Sequence, residues 1–254
     1  MPSFLPELTR RASGALAVGM LAAATAPAAH AAGVPGQGTW QTTLQARDLD
    51  GNLSNGPEAF FDAVLNVTWL ADANFAKTSN YAAANSSGQM TWDEVKTWAD
   101  NLVVGAYSDW RLPNMVDSGS NGCNFAYSGT DCGFNVSTST SEMAHLYYVT
   151  LGNKAYYNTA GSGPQSGWGL SNTGPFSNVQ PGFYWSGVEY APSTTHAWNF
   201  YTGSGGQSYT NKRNELSAWA VRPGDVAAVP EPQAYALALA GLGALLVARR
   251  RRQA

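Results

Sequence analysis

With 254 residues, 12% of them charged, and a formal net charge of −3, the chain is poorly suited to bind nucleic acid. Without the two ends discussed below, basic residues fall from 14 to 8 and acidic residues from 17 to 15, so the central part carries about −7. About 200 central residues suffice for one domain with a sizeable core. Low charge, many Gly, Ser and Asn, and 9 tryptophans suit a loop-rich extracellular fold.

In chain order, Arg10-Arg11, a small apolar run over 12–26 and Ala29-His30-Ala31 read as a cleavable signal peptide spanning 1–31. The arginine pair is compatible with twin-arginine export. A Gly/Pro linker occupies 32–38, and the domain is expected over 39–225. Trp40, Leu44 and Ala46 at even spacing predict a first strand over Thr39–Asp48. The next residues, to Asn52, form a turn. Asp50, Asn52 and Ser54 hint at a calcium loop, but loop positions six and twelve hold Asn55 and Phe61 in place of Gly and Glu. A plain Asx turn is therefore expected. Alternating apolar residues predict one strand over Phe60–Leu70, and a loop with a helical turn at Tyr81–Ala84 fills 72–87. Thr91 and Glu94 form a capping box. They start a helix over Thr91–Val104 with Val95, Trp98, Ala99 and Leu102 on one face, ended by Gly105.

Next comes Asp109-Trp110-Arg111-Leu112-Pro113-Asn114, echoed late in the chain by Trp219-Ala220-Val221-Arg222-Pro223-Gly224. Both read as short strands of the structural core, with Trp110, Arg111, Trp219 and Arg222 as its anchors. A guanidinium is buried only when its donors are paired, and Asp109 and Glu142 are the candidate partners. Residues 115–138 form a polar loop holding Cys123 and Cys132. In an exported protein a disulfide is the expected reading, worth roughly 2–3 kcal/mol for so short a loop. Ser139 and Glu142 suggest a second capping box and a helix over Ser139–Leu151, with Met143, Leu146, Tyr147 and Leu151 inward and Gly152 as its C-terminal stop. A loop over 153–180 carries Trp168 and Phe176. Strands at Phe183–Ser186, His196–Tyr201 and Ser217–Arg222 then form an antiparallel meander, with Gly203, Gly205, Gly206 and Asn211 in its turns.

The tail combines Val229-Pro230-Glu231-Pro232, an apolar run over 234–248 and Arg249-Arg250-Arg251-Arg252. As a helix the run spans about 22 Å, short of the ~30 Å hydrocarbon core. It inserts if Tyr235 sits at one interface and the bilayer thins, with the arginines at the cytoplasmic end. The set over 229–254 resembles the PEP-CTERM sorting signal of Gram-negative bacteria. The resemblance implies an exosortase substrate, transiently anchored in the inner membrane by a transmembrane helix at 234–248. It further implies release to the cell surface or to an exopolysaccharide (biofilm) matrix.

The ordered fragments Val67-Thr68-Trp69, Asp109 to Pro113, Ser141-Glu142-Met143, Tyr184-Trp185-Ser186-Gly187, Ala197-Trp198-Asn199-Phe200 and Trp219 to Arg222 resemble the Lcl C-terminal domain family. That family is related to the formylglycine-generating-enzyme-like branch of C-type-lectin-like folds. The resemblance implies an irregular α+β domain in which two helices flank a small antiparallel sheet with long loops.

The chemistry of that branch does not carry over. Copper-binding oxidases of this kind need two late cysteines, and both cysteines here precede the second helix. A lectin calcium site wants Trp-Asn-Asp where this chain has Trp198-Asn199-Phe200, so no cofactor or metal is expected; Glu189 and Asn199 are the residues left to contribute to such a site. No nucleophile elbow accompanies His145 or His196. The leading expectation is an exported, non-catalytic protein that associates with polysaccharide, with Trp168 and Tyr190 as exposed sugar-stacking residues. The alternatives are an enzyme acting on extracellular glycan or protein through a histidine, and a purely structural matrix protein.

Overall fold

The computed structural model describes residues 33–119, 127–129 and 131–226. The signal peptide, Cys123, the sorting motif and the 234–248 run lie outside the described residues.

The chain enters through one helical turn, α1 (Trp40–Thr43), and passes directly into β1 (Leu44–Arg47). The strand expected over Thr39–Asp48 is thus half helix, because Thr39 starts a turn: its carbonyl accepts from the Thr42 and Thr43 amides. Next come β2 (Ala59–Asp62) and β3 (Val67–Leu70), which pair antiparallel as a hairpin. A single strand over Phe60–Leu70 is therefore incorrect. The Asp62 carboxylate accepts from the amides of Val64 and Leu65, and Asn66 takes a positive φ of 53°. Together they reverse the chain inside an apolar run.

Helical turn α2 (Phe75–Thr78) occupies the segment read as loop, ahead of the expected turn at Tyr81–Ala84. Helix α3 (Trp92–Asp100) has the expected capping box: Glu94 accepts from the Thr91 amide at 2.9 Å. Its buried face is Trp92, Val95, Trp98 and Ala99. It stops at Asp100, short of Val104, and Gly105 instead occupies a tight approach to Leu49. At φ +59°, an added Cβ there would lie 2.0 Å from the Leu49 carbonyl oxygen.

Short strand β4 (Gly133–Phe134) precedes α4 (Glu142–His145), which continues as a π-helical turn over Leu146–Thr150. The N-cap is Ser141, not Ser139: Ser141 Oγ accepts from the Ala144 amide at 3.2 Å. Glu142 is drawn to Arg111 and caps nothing on its own helix. Met143, Leu146, Tyr147 and Leu151 are buried, and Gly152 follows with φ 65°.

Strands β5 (Phe183–Glu189), β6 (His196–Tyr201) and β7 (Gly206–Asn211) form the late meander, and β8 (Val221–Pro223) closes the set. There are two four-stranded antiparallel sheets where one small sheet was expected, ordered β1-β2-β3-β8 and β4-β7-β6-β5. The last expected strand does not finish the meander. Ser217 touches Tyr184 through one parallel bridge, and the chain then crosses to pair with β3. The described architecture is mixed helix and sheet, of the α+β class.

One apolar cluster joins the sheets, holding Trp69 and Val221 from the first and Tyr184 and Phe200 from the second. Trp219 is the joint. Its ring meets Trp69 at 5.4 Å, Phe176 at 4.9 Å and Tyr184 at 5.8 Å, and its Nε1 donates to the Leu70 carbonyl at 2.9 Å. Such aromatic contacts are worth about 0.5–1.5 kcal/mol each beyond area burial.

The two echoing arginine motifs meet. Arg111 and Val221 exchange backbone hydrogen bonds at 2.8 Å in both directions. Arg222, 8% exposed, forms a two-pronged pair with Asp109 at 2.6 and 2.7 Å. Arg111 does the same with Glu142 at 2.8 and 2.7 Å. Trp110, Trp219 and Arg222 are buried. Arg111 departs from that: its side chain is 35% exposed, so it is a clamp at the rim of the core.

Candidate functional site

The loop over 153–180 has little regular structure, yet it is fixed by amide side chains doing the work of a ladder. Asn153 Oδ1 accepts from the Ser171 and Asn172 amides at 3.0 and 2.9 Å. Asn172 Nδ2 donates to the Leu151 carbonyl at 2.7 Å, and its Oδ1 accepts from Val34 and Gly174. Both asparagines are buried and satisfied, which is how a buried loop avoids stranded backbone groups.

Together with Tyr127 and Phe134, this loop presents a strip of aromatic rings. Trp168 packs edge-on against Tyr156 at 4.7 Å. Tyr156 meets Tyr157 at 4.7 Å, and Tyr157 meets both Tyr127 at 5.2 Å and Phe134 at 5.0 Å. Trp168 and Tyr127 are each 41% exposed, so the strip faces solvent at both ends. The backbone holds it from below: Gly169 donates to the Lys154 carbonyl at 2.9 Å and Tyr156 to Ser204 at 2.9 Å. Asn135, at φ 49°, donates its side-chain amide to the carbonyls of Tyr127 and Tyr157, both at 2.9 Å.

A cavity of about 320 Å³ opens beside the strip, lined among others by Asn135, Thr138, Tyr148, Lys154 and Gln165. Gln165 is braced by its own bonds to the Ala155 and Tyr157 carbonyls. Burial pushes the Tyr148 hydroxyl well above the ordinary tyrosine range, with the Asn135 amide bond opposing. It therefore stays a protonated donor, and it donates to the Gly205 carbonyl. The combination is a rigid apolar platform with neutral polar groups and one lysine at its edge.

Of the sequence-derived site residues, only Trp168 belongs here. Tyr190 is 2% exposed, which corrects its reading as an exposed loop aromatic. It stacks on Tyr209 at 3.7 Å and packs edge-on to Trp198 at 5.5 Å, in a small cluster with Met115 and Cys132. Glu189 pairs with Lys212, which also lies over the Trp92 ring at 4.3 Å. Asn199 is 2% exposed and sits opposite Trp185 in the sheet, so it does not join Glu189 in an open ligand set. Tyr156, Tyr157 and Tyr127 were not singled out from sequence; the adjacent Tyr156-Tyr157 pair in a Gly/Ser/Asn-rich loop was the available signal.

Cys132 is buried and disulfide-bonded; its expected partner Cys123 lies outside the described residues. His196 Nδ1 lies 3.1 Å from Ser193 Oγ and 3.0 Å from Thr195 Oγ1 within its own turn. His145 Nε2 is buried without a partner. Among the described residues neither histidine forms an ion pair with a carboxylate.

A second, smaller cavity of about 250 Å³ is lined among others by Lys96, Asp100, Arg111, Leu112 and Asn114. The guanidinium there is already committed to Glu142, which leaves Lys96 as the cation facing it, and Lys96 itself lies 5.0 Å from the Trp92 ring.

Fold and site thus define an α+β domain of two antiparallel sheets with an exposed aromatic strip. The family model of the PEP-CTERM protein-sorting motif matches residues 228–252. No curated protein matches the chain. The motif marks an exported protein, anchored in the membrane until exosortase processes it. No helix among the described residues is long and apolar enough to cross a membrane.

Proposed function

We propose that this protein is a non-catalytic, polysaccharide-associating domain of C-type-lectin-like build, delivered to the cell surface or extracellular matrix by its sorting signal. The observation that carries this reading is the aromatic strip from Trp168 to Tyr127 beside a polar cavity whose one charged lining side chain is Lys154. Sugars present apolar ring faces and a rim of hydroxyls. Rigid aromatic rings offer contact area at low entropic cost, and Asn, Gln, Thr and Lys side chains supply both donors and acceptors to hydroxyls. The strip is pre-formed by Asn135, Asn153 and Asn172, so little ordering cost falls on binding.

A glycan array probed with the exported protein, with and without chelator, tests the reading. Selective binding of a polysaccharide that survives intact is the expected result. Degradation of the bound glycan would establish an enzyme, and no selective binding would leave a purely structural matrix protein.

A further inference from the structure

The turn after β1 brings three carboxylates together. Asp48, Asp50 and Glu58 each offer an oxygen, and these oxygens all lie within 4.8 Å of one another. Local bonding explains the convergence. Asp48 Oδ1 accepts from the Gly51 amide at 2.8 Å and the Asp50 amide at 3.2 Å. Glu58 Oε2 accepts from the Leu49 amide at 2.8 Å. The Glu58 carbonyl is itself held by the Ala71 amide at 2.8 Å, which ties the acid to the end of β3. Gly105 closes over the Leu49 carbonyl from the other side. The expected Asx turns are present as well: Asp50 Oδ1 accepts from Asn52, and Asn52 Oδ1 from Ser54.

Those turns do not account for Asp48 Oδ2. Asp48 is 6% exposed, and this oxygen is buried with no hydrogen-bond partner. A buried carboxylate oxygen without a donor is costly and calls for a cation or an unrecorded donor. No side chain supplies one. Arg47, adjacent in sequence, gives its guanidinium to Asp225 at 2.7 and 2.8 Å and to Gln45 and the Ala46 carbonyl. Among the described residues no ion pair reaches Asp48, Asp50 or Glu58. Burial, with Asp50 and Asp48 adding to it, raises the Glu58 carboxyl despite its bond to Leu49.

We propose that Asp48, Asp50 and Glu58 form a calcium-binding site. The donor set is all oxygen, the choice of a hard cation, and it mixes one buried anchor with two more exposed acids. Calcium accepts such an irregular shell and completes it with water, whereas magnesium demands near-ideal octahedral geometry. Extracellular calcium modules bind at about 10⁻⁴–10⁻³ M, so an exported protein meets the ion at a useful concentration. The site ties the β1–β2 connection to the end of β3. It is independent of the glycan reading.

The test uses the exported protein, stripped of metal by chelation and dialysed. Equilibrium dialysis should show one calcium per chain, and 10 mM calcium should raise Tm by roughly 5–10 °C. Asp48→Asn and Glu58→Gln keep the acceptor oxygens of the turn and remove the charge; each should abolish both effects. Should Asp48→Asn fail to fold, Glu58→Gln decides. Failure of the wild-type protein to bind calcium would overturn the proposal, as would calcium binding unchanged in Glu58→Gln, or magnesium binding as tightly as calcium.

Discussion

Replacing Asp109 with alanine should lower the unfolding free energy by about 3 kcal/mol and Tm by roughly 6–12 °C. The reason is an asymmetry in the pair. The Arg222 side chain is 10% exposed and that of Asp109 50%. Removing the acid strands a buried guanidinium whose remaining support is the Asp225 carbonyl at 3.2 Å and the Tyr107 ring at 4.8 Å. Removing the arginine instead leaves a carboxylate that returns to water. Arg222→Met should therefore cost less, about 1 kcal/mol, since the apolar side chain fills the buried space and the half-exposed Asp109 is not left as a buried unpaired charge. Chemical denaturation of both variants checks the order, and equal losses would show that the arginine is not effectively buried. The pH dependence has a definite sign. The bond from Arg222 lowers the Asp109 carboxyl below its ordinary value, against the opposing effect of burial. The pair's contribution is thus present above the ordinary aspartate range near ~3.9 and is lost as pH falls through the lowered value. Wild type and Asp109→Ala should converge in stability in strong acid.

The second large effect concerns binding. Trp168→Ala should weaken affinity for the selected polysaccharide about 10- to 100-fold, which is ~1.4–2.8 kcal/mol. Truncating the exposed end of the strip removes a stacking surface and exposes the Tyr156 edge, yet it opens no cavity in the core. Stability should therefore change by only about 0.5 kcal/mol. Phe183 provides the control. It is 43% exposed and stacks on Tyr201 at 4.3 Å, outside the strip. Phe183→Ala should leave affinity unchanged. Calorimetric titration of the two variants separates a specific platform from general surface stickiness.

What the sequence revealed follows from where the information lies. Helix α3 was legible because its capping box and apolar face are local. The 59–70 hairpin was not, because Ala63 and Val64 in its turn are apolar and mimic strand alternation; Val64 is in fact 58% exposed. Strand β7 escaped notice because Gly206 to Asn211 is polar, with Gln207 its buried residue. The pairing of Asp109 with Arg222 and Glu142 with Arg111 spans 113 and 31 residues, beyond any periodic signal. Tyr190 looked like a loop aromatic because its stacking partner Tyr209 comes from another strand. The acidic cluster was missed for a related reason: the loop template begins at Asp50 and looks for its glutamate at residue 61, whereas the fold supplies Asp48 and Glu58.

Oxidative footprinting of the exported protein, with and without the selected polysaccharide and read by peptide mass spectrometry, bears most directly on the glycan platform. The account predicts ligand-dependent protection at Trp168, Tyr156 and Tyr127, with Phe183 and Tyr201 oxidised equally in both samples. Protection confined to Phe183 and Tyr201, or to the surface around Lys96 and Arg111, would contradict it.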